Sequence, residues 1–327
     1  MIRIISPVPY RVFQRNCPVK ITFISDRDTP GCSVTVLDRD SRTVFEEKQA
    51  TTFRDGMYYR TDVFLPAGGW YTVTVETGHG SDTSDVFGVG EVFVIAGQSH
   101  ATNSNSRQFR INDPEGRITV YEPAYGTWRI AHDRQPCFDS SEYNARFGTF
   151  WPVAFDDFLE KTGLPVGMTN AAFGATALFQ WMPGNDMDLF GKLVSCCKAV
   201  ENFRAILWQQ GESDVMWHTQ TDDYVKGVIK LKTSLDAALG KNTEWLVAKS
   251  TIHPSAYDDP EHEKLIQDAV DVLWNQDGFY EGPDTDLLNG DCRDRGDFSG
   301  HMTEKGQRLA GKMWSESIRK YLACKGK

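Results

Sequence analysis

The chain has 327 residues, of which 40% are hydrophobic and 24% charged, and its formal net charge is −10 at pH 7. This length predicts two domains of a globular protein. The negative charge and the lack of any run rich in Lys and Arg argue against nucleic acid and anionic membrane surfaces as partners, and they favour a neutral substrate.

The compartment and the oligomeric state are left open by the sequence. The N-terminal stretch MIRIISPVPYRVF lacks the basic start and apolar core of a signal peptide. No apolar run approaches the roughly 18 residues needed to span a bilayer, so we expect no membrane association. The protein is therefore expected in the cytoplasm, or in a secreted or periplasmic form if a signal peptide has been removed.

Residues 1–88 contain short stretches in which apolar and polar residues alternate. Turn-forming stretches such as DRDTPG, FRDG and PAGG separate them. This spacing predicts an antiparallel β-sandwich of the immunoglobulin or fibronectin kind, which we expect to serve as an accessory domain. The strand candidates are VKITFIS, CSVTVLD, RTVFEEK, YYRTDVFLP and GWYTVTVE.

From residue 91 onward apolar strands alternate with helical segments. This alternation predicts an α/β fold with a parallel sheet and helices on both faces, as a second domain over residues 89–327. The long segment 100–150 has few helical signals, so we expect it to line a cleft. The strand candidates are EVFVIAG, LPVGMTNAAFG, FRAILWQQGES, EWLVAKSTI and GFYEGP. The helix candidates are WPVAFDDFLEKTG, DLFGKLVSCCKAVEN, DDYVKGVIKLKTSLDAALG, PEHEKLIQDAVDVLWNQ and TEKGQRLAGKMWSESIRKYLA.

Residues suited to catalysis follow the predicted strands directly. Ser99 ends the Gly-Gln-Ser corner after the first strand of this half, and Gly174 follows the second. Glu212 lies in QQGESD after the third strand, and His301 precedes the last helix. Active sites of parallel sheets lie beyond the carboxyl ends of the strands, so we expect these residues to converge.

These motifs resemble those of the SGNH-hydrolase superfamily, and within it the branch of sialate O-acetylesterases and acetylxylan esterases of carbohydrate esterase family six. The matching pieces are GQS, FGAT followed by QW, WQQGESD and a late loop His, in the family's order over residues 91–323. The resemblance implies a flavodoxin-like three-layer sandwich. It also implies removal of O-acetyl groups from a carbohydrate, of the plant polysaccharide or sialic acid type, through an acetyl-enzyme. Two positions depart from the family: His100 replaces the usual Asn, and Phe298 replaces an Asp three residues before the catalytic His.

Ser99 is the candidate nucleophile, and His301 is the candidate base. A Ser hydroxyl needs a base within hydrogen-bond reach and a third group that orients this base. Ser99 could instead serve only as a helix N-cap. His100 is a poor base for Ser99 because neighbouring side chains point in different directions along a strand or helix, so we expect it to hydrogen-bond a neighbouring loop. Other candidates for the base are His132, His218 and His253.

The acid that orients His301 has two candidates. Asp297 lies four residues before His301 rather than three, which would redirect its carboxylate unless the loop bulges. Glu212 lies in WQQGESD, and some members of the acetylxylan esterase branch use the Glu of this motif as the acid. We therefore favour Glu212 and keep Asp297 as the alternative. Without a catalytic role, Glu212 would hold an Arg side chain or backbone amides.

Acyl transfer also needs hydrogen-bond donors aimed at the developing oxyanion. The backbone N–H groups of Ser99 and Gly174 are candidates, since glycine lets the backbone approach closely. The resemblance adds the side-chain amide of Gln210, with Asn103 as a weaker candidate.

Several residues are candidates for binding the sugar. Trp181 and Trp217 could each stack on a sugar ring or pack in the core. Gln98, His100 and Gln180 border the catalytic motifs, and we assign them to substrate binding as well.

We expect a serine esterase that acts on an acetylated carbohydrate and needs no metal or other cofactor. The spacings of Asp and His show no ligand set, and the seven Cys residues form no CxxC pair. Two alternatives stay open. One is a carbohydrate-binding protein that has lost catalysis, which His100 and Phe298 would motivate. The other is a lipase or thioesterase of the same superfamily, which would need a long apolar groove.

Overall fold

The computed structural model describes residues 1–29, 31–139, 147–294, 296 and 300–326. Its strands are β1 (Ile2–Ser6), β2 (Val12–Gln14), β3 (Val19–Ser25), β4 (Gly31–Asp38), β5 (Thr43–Thr51), β6 (Phe53–Asp55), β7 (Tyr58–Val63), β8 (Gly68–Thr77), β9 (Gly80–Thr83), β10 (Phe87–Gly97), β11 (Ile118–Glu122), β12 (Thr127–Ile130), β13 (Val166–Asn170), β14 (Ala205–Gln209), β15 (Trp245–Lys249) and β16 (Phe279–Asp284). Its α-helices are α1 (Trp151–Thr162), α2 (Leu189–Val200), α3 (Glu212–Met216), α4 (Thr221–Leu239), α5 (Pro260–Leu273) and α6 (Glu304–Cys324).

One large sheet organises the half of the chain that begins with β10. The strand order is β12-β11-β13-β10-β14-β15-β16, and neighbouring strands run parallel except β11 and β12, which form an antiparallel hairpin. β10 is central and every one of its residues is buried, which explains its continuous apolar sequence. The prediction of a mixed α/β protein with a large sheet is confirmed.

The two faces of this sheet lie against different apolar cores. Val92 and Val94 of β10 join a cluster that contains side chains of α2, α4 and α5. Phe93 and Ile95 join another cluster, which contains side chains of α1 and α6. Alternate residues of a strand point to opposite faces, so helices cover the sheet on both sides. Among the described residues, no helix is long and apolar enough to cross a membrane.

Helices α1 and α6 have the ends that their sequences mark. α1 carries Pro152 in its first turn and stops at Gly163, whose φ of 70° lies in the left-handed region that glycine favours. The side chain of Thr303 accepts a hydrogen bond from the backbone N–H of Gly306 and so caps the start of α6. This cap holds the end of the loop that carries His301.

The N-terminal strands enclose an apolar core of their own. β1, β3, β7 and β6 form one antiparallel sheet, and β4 pairs with β5 and β8 in a group that is joined to the large sheet because β8 also pairs with β10. β10 connects this core to the large sheet: Gly88–Gly90 pair with β2, and Glu91–Ile95 pair with β13. The expected domain boundary between residues 88 and 89 therefore falls inside one continuous strand.

Candidate active site

β10 ends in a turn that requires glycine at position 97. Gly97 has a φ of 126°, and a Cβ atom there would lie 2.0 Å from the backbone oxygen of Gln209 in β14. The backbone N–H of Gln98 donates to that same oxygen at 2.9 Å. Ser99 then opens a short 3-10 helix (Ser99–Ala101) at the carboxyl edge of the sheet and is 7% exposed. The close approach of β10 and β14 thus sets the position of the predicted nucleophile.

The buried side chain of Gln98 ties the loop after β10 to the loop after β14. Its Oε1 atom accepts hydrogen bonds from the backbone N–H groups of Gly211 at 3.3 Å and Ser213 at 3.1 Å, and from Nε2 of Gln210 at 3.2 Å. Gln98 is 2% exposed. These bonds give Oε1 of Gln98 a structural role, and its assignment to substrate binding stays a prediction.

The two side-chain amides predicted for the oxyanion hole are engaged elsewhere. Nε2 of Gln210 also donates to Asp214 at 2.5 Å and to the backbone oxygen of Thr176 at 3.1 Å, so neither of its hydrogens remains for an oxyanion. Asn103 donates from Nδ2 to the backbone oxygen of Gln135 at 2.7 Å and accepts from the N–H of the same residue at 2.8 Å. Both amides therefore hold loops in place.

Gly174 lies beside Ser99, as the sequence predicts. A Cβ atom built on Gly174 would lie 3.8 Å from the Cβ of Ser99, and the backbone N–H of Phe173 donates to the carbonyl of Gly97 at 2.9 Å. The N–H of Gly174 donates to a carboxylate oxygen of Asp139 at 3.2 Å. The Gly174 N–H is therefore a donor at the nucleophile that already binds an anionic oxygen.

His301 lies in a group of aromatic rings next to the carboxyl edge of the sheet. Its ring centroid is 5.2 Å from that of His100 and 5.1 Å from that of His253, in edge-to-face arrangements, and the residue is 7% exposed. The backbone oxygen of His301 accepts from the N–H of Asp294 at 2.8 Å, and Asn105 Oδ1 accepts from the N–H of Met302 at 3.3 Å. These bonds fix the loop that brings the predicted base to the site.

His100 is completely buried and bridges two polar groups. Its Nδ1 lies 3.0 Å from Oδ1 of Asn105, and its Nε2 lies 2.6 Å from a guanidinium nitrogen of Arg293. A guanidinium can only donate, so Nε2 accepts and the imidazole proton resides on Nδ1. Burial and the charges of Arg293 and His301 hold the pKa of His100 well below its usual range. The substrate-binding prediction for His100 is wrong, because the ring is completely buried and both of its nitrogens are engaged.

Glu212 is the first residue of α3 and is 1% exposed. Its Oε1 atom accepts a hydrogen bond from the Ser250 hydroxyl at 2.6 Å and lies 3.4 Å from Nε2 of His100. Burial raises the pKa of Glu212 to about 7, although the Ser250 hydrogen bond opposes this shift. The contact with His100 is not an ion pair, since Nε2 accepts from Arg293. Asp297, the alternative acid, lies outside the described residues.

The sequence matches the model of the carbohydrate esterase, sialic acid-specific acetylesterase family over residues 89–320. The chain belongs to this family. It is a carbohydrate acetylesterase, and the family is part of the SGNH superfamily predicted from the motifs.

Two solved structures resemble this esterase in fold. A carbohydrate acetylesterase from Xanthomonas citri is 15% identical with a TM-score of 0.63, covering 98% of this chain and 74% of the other. A protein from Arabidopsis thaliana is 15% identical with a TM-score of 0.54, covering 71% of this chain and 98% of the other. No curated protein matches the sequence. At 15% identity, these similarities show only that the fold is shared.

Trp217, which directly follows α3, forms an exposed aromatic pair with Phe179 at the surface of the esterase. Trp217 is 66% exposed and Phe179 is 50% exposed, and their rings meet edge-to-face with centroids 5.2 Å apart. Asp214 connects their two segments, because it accepts from the N–H of Leu178 at 2.8 Å and from the hydroxyl of Thr219 at 2.7 Å. Phe179 was not predicted, because nothing in its sequence distinguishes an exposed phenylalanine ring from a buried one.

The other two predicted sugar-binding residues have structural roles. Trp181 is fully buried, packs against Trp208 with centroids 5.1 Å apart and donates to the Thr176 hydroxyl at 3.1 Å. The stacking role predicted for Trp181 is wrong, because no face of its ring is accessible. Gln180 accepts from the N–H of Ala177 at 2.8 Å and so closes the turn that precedes Trp181. The side chain is half-buried, and its assignment to substrate binding stays a prediction.

Proposed function

We propose that the esterase hydrolyses the acetyl ester of a carbohydrate through an acetyl group carried on Ser99. The observation that carries this proposal is the place of Ser99, on the glycine turn of the central strand with the N–H of Gly174 at its side. The Ser99 hydroxyl attacks the acetyl carbonyl while His301 accepts its proton. His301 returns that proton to the sugar oxygen as the C–O bond breaks. Water then attacks the acetyl-enzyme while His301 accepts its proton, and His301 gives this proton to the Ser99 oxygen as acetate leaves.

The backbone N–H groups of Ser99 and Gly174 would stabilise the tetrahedral oxyanion. Support comes from the hydrogen bond that Gly174 makes to the Asp139 carboxylate, since this oxygen stands in for an anionic acceptor. The substrate's carbonyl oxygen must displace this carboxylate before reaction. The hole we propose therefore consists of backbone donors and does not include Gln210.

We further propose Glu212 as the acid that stabilises the His301 imidazolium. Within the described residues, its Oε2 atom is buried and has no hydrogen-bond partner, so it can accept an imidazole N–H. A positive charge on His301 would draw the raised pKa of Glu212 downwards and favour the carboxylate. Asp297 is the alternative acid, and the two are compared experimentally in the Discussion.

The exposed pair of Trp217 and Phe179 is the sugar-binding surface that we propose. Flat aromatic rings pack against the apolar faces of sugars, and these two rings lie open to solvent on loops that Asp214 joins. The substrate is either a plant polysaccharide or a sialic acid. Measuring acetate release from acetylated xylan, pectin, xyloglucan and O-acetyl sialic acid distinguishes the two.

The domain assignment is also a proposal. We assign residues 1–88 to a β-sandwich accessory domain of immunoglobulin or fibronectin type, which its separate apolar core supports. Residues 89–327 then form the catalytic domain, a three-layer SGNH sandwich, which the two clusters on opposite faces of β10 support.

The proposed function is tested by acetate release from an acetylated sugar, with Ser99→Ala as the comparison. We expect Ser99→Ala to lower kcat for acetate release at least 10³-fold. The thermal unfolding temperature of this variant should equal that of the wild type. Thr102→Ser, a conservative change in the same loop, serves as the matched control and should stay active. Full activity in Ser99→Ala would refute the assignment of the nucleophile.

A further inference from the structure

Three potential metal ligands meet outside the active site, where the loop after α3 reaches the start of α5. They are His218, Asp259 and His262. Nε2 of His218 lies 3.6 Å from an oxygen of Asp259, and Nδ1 of His262 lies 2.9 Å from both oxygens of that carboxylate. One ligand atom from each residue lies within 4.8 Å of the other two. This spacing is that of a mononuclear site.

Hydrogen bonds hold the backbone of these residues in place. Asp259 caps α5 by accepting a hydrogen bond from the N–H of His262 at 3.2 Å. His218 has a φ of 51°, in the left-handed region that residues other than glycine adopt uncommonly. Its N–H donates to the carbonyl of Val215, and its own carbonyl accepts from Gln220, both at 3.0 Å. Hydrogen bonds on either side therefore hold His218 in this conformation.

We propose that His218, Asp259 and His262 bind a zinc-type divalent metal ion. Two imidazole nitrogens and one carboxylate oxygen suit Zn²⁺ or a similar ion better than Mg²⁺ or Ca²⁺, which prefer oxygen ligands. Ligand bonds of about 2.0–2.2 Å in a tetrahedron place donor atoms about 3.4 Å apart. The distances of 2.9 and 3.6 Å lie on either side of that value. A water molecule would supply the fourth ligand, since the side chain of His218 is 62% exposed.

Binding requires one adjustment of the side chains. The rings of His218 and His262 stack with centroids 3.9 Å apart and planes at 15°, so their lone pairs run side by side. A rotation of the exposed His218 ring would turn its Nε2 towards the metal. Glu261 and Glu263 in the first turn of α5 add negative charge that favours a cation.

The site would connect the substrate-binding surface to the body of the protein. His218 directly follows Trp217, and the loop that contains both leads from α3 to α4. A metal bound to Asp259 and His262 would therefore tie this loop to α5. The ion would order the loop without contacting the reacting atoms, so the proposal does not depend on the proposed chemistry at Ser99.

Zinc binding to the metal-free protein tests the proposal. We expect calorimetric titration with Zn²⁺ to show one ion per chain, in a Cys324→Ser background that removes the exposed thiol as a competing ligand. His218→Ala and His262→Ala should each weaken binding at least 10-fold. Asp259→Asn, which keeps an N-cap oxygen, should weaken it as well.

The matched control is His79→Ala, which removes an exposed histidine of the N-terminal half and should bind zinc like the parent. Circular dichroism of each variant confirms that the fold is retained. Lack of stoichiometric binding by the parent, or unchanged affinity in both His218→Ala and His262→Ala, would overturn the proposal.

Discussion

The Glu212→Gln variant should have a lower kcat than the wild type and, at alkaline pH, a higher free energy of unfolding. The substitution keeps the shape of the side chain and an oxygen for the Ser250 hydroxyl, which donates at 2.6 Å. It removes the negative charge that we propose stabilises the His301 imidazolium, and it replaces Oε2, the proposed acceptor of the imidazole N–H, with an NH2 group that can only donate. We expect kcat for acetate release to fall roughly 10³–10⁴-fold, the scale on which loss of a triad carboxylate acts.

The effect on stability follows from the pKa of the buried carboxyl. Burial raises the pKa of Glu212 from 4.5 to about 7, which corresponds to about 3 kcal/mol at roughly 1.4 kcal/mol per pH unit. Because the folded-state pKa exceeds the unfolded one, this stabilisation is present below pH 4.5 and is lost as the pH rises through about 7. Glutamine is neutral at every pH. The variant should therefore be more stable than the wild type by about 1–3 kcal/mol at pH 8.5 and similar to it at pH 4.5.

Two assays separate the catalytic role from a purely structural one. Steady-state acetate release gives kcat, and urea unfolding at pH 4.5 and pH 8.5 gives the free energy of unfolding. Asp297→Asn is the matched comparison, since it makes the same carboxylate-to-amide change at the alternative acid. If Asp297→Asn abolishes turnover and Glu212→Gln stays within a few-fold of the wild type, the acid is Asp297 and our assignment of Glu212 is refuted.

The two tryptophans give two further predictions, one on substrate binding and one on stability. Trp217→Ala should raise KM for an acetylated oligosaccharide about 5–10-fold, through the loss of about 1–1.4 kcal/mol of ring contact, and leave kcat/KM for p-nitrophenyl acetate unchanged. Equal losses on both substrates would contradict a sugar-binding role. Trp181→Ala should lower the free energy of unfolding by about 3–5 kcal/mol in urea titrations, because it leaves a cavity in the core. Unchanged stability with a raised KM would show instead that Trp181 contacts the sugar.

The large-scale order of the fold and several residues near the site were predictable from the sequence. Parallel strands place their carboxyl ends at one edge, so residues directly after β10 and β13 had to come together there. Ser99 and Gly174 do so, with a Cβ built on Gly174 falling 3.8 Å from the Cβ of Ser99. Local turn and cap signals also held, as Gly163 and Thr303 show at the ends of their helices.

Contacts that depend on side-chain direction were not predictable. Gln98 and Gln210 occupy positions that suggest access to substrate, yet their amides bind one another across two loops. Trp181 and Trp217 each follow a catalytic motif in the sequence, and only their exposure in the folded chain separates the core residue from the surface one. The sequence analysis did not predict strand β11, because its apolar pattern is short and lies between charged residues. Its place in the sheet depends on pairing with β13, which lies far along the chain.

The substitution at position 100 has a physical explanation in the hydrogen-bond inventory of the site. The Asn that the resemblance leads us to expect at this position would offer an amide donor and a carbonyl acceptor, and a neutral imidazole offers one donor and one acceptor as well. In His100 these lie at opposite sides of a larger ring, so the side chain reaches from Asn105 to Arg293. The acceptor satisfies a buried guanidinium, and the donor fixes Asn105, whose Oδ1 also receives the N–H of Met302. His100 therefore helps to position the loop that carries His301. It acts through Asn105, which binds the N–H of Met302, and not through contact with Ser99.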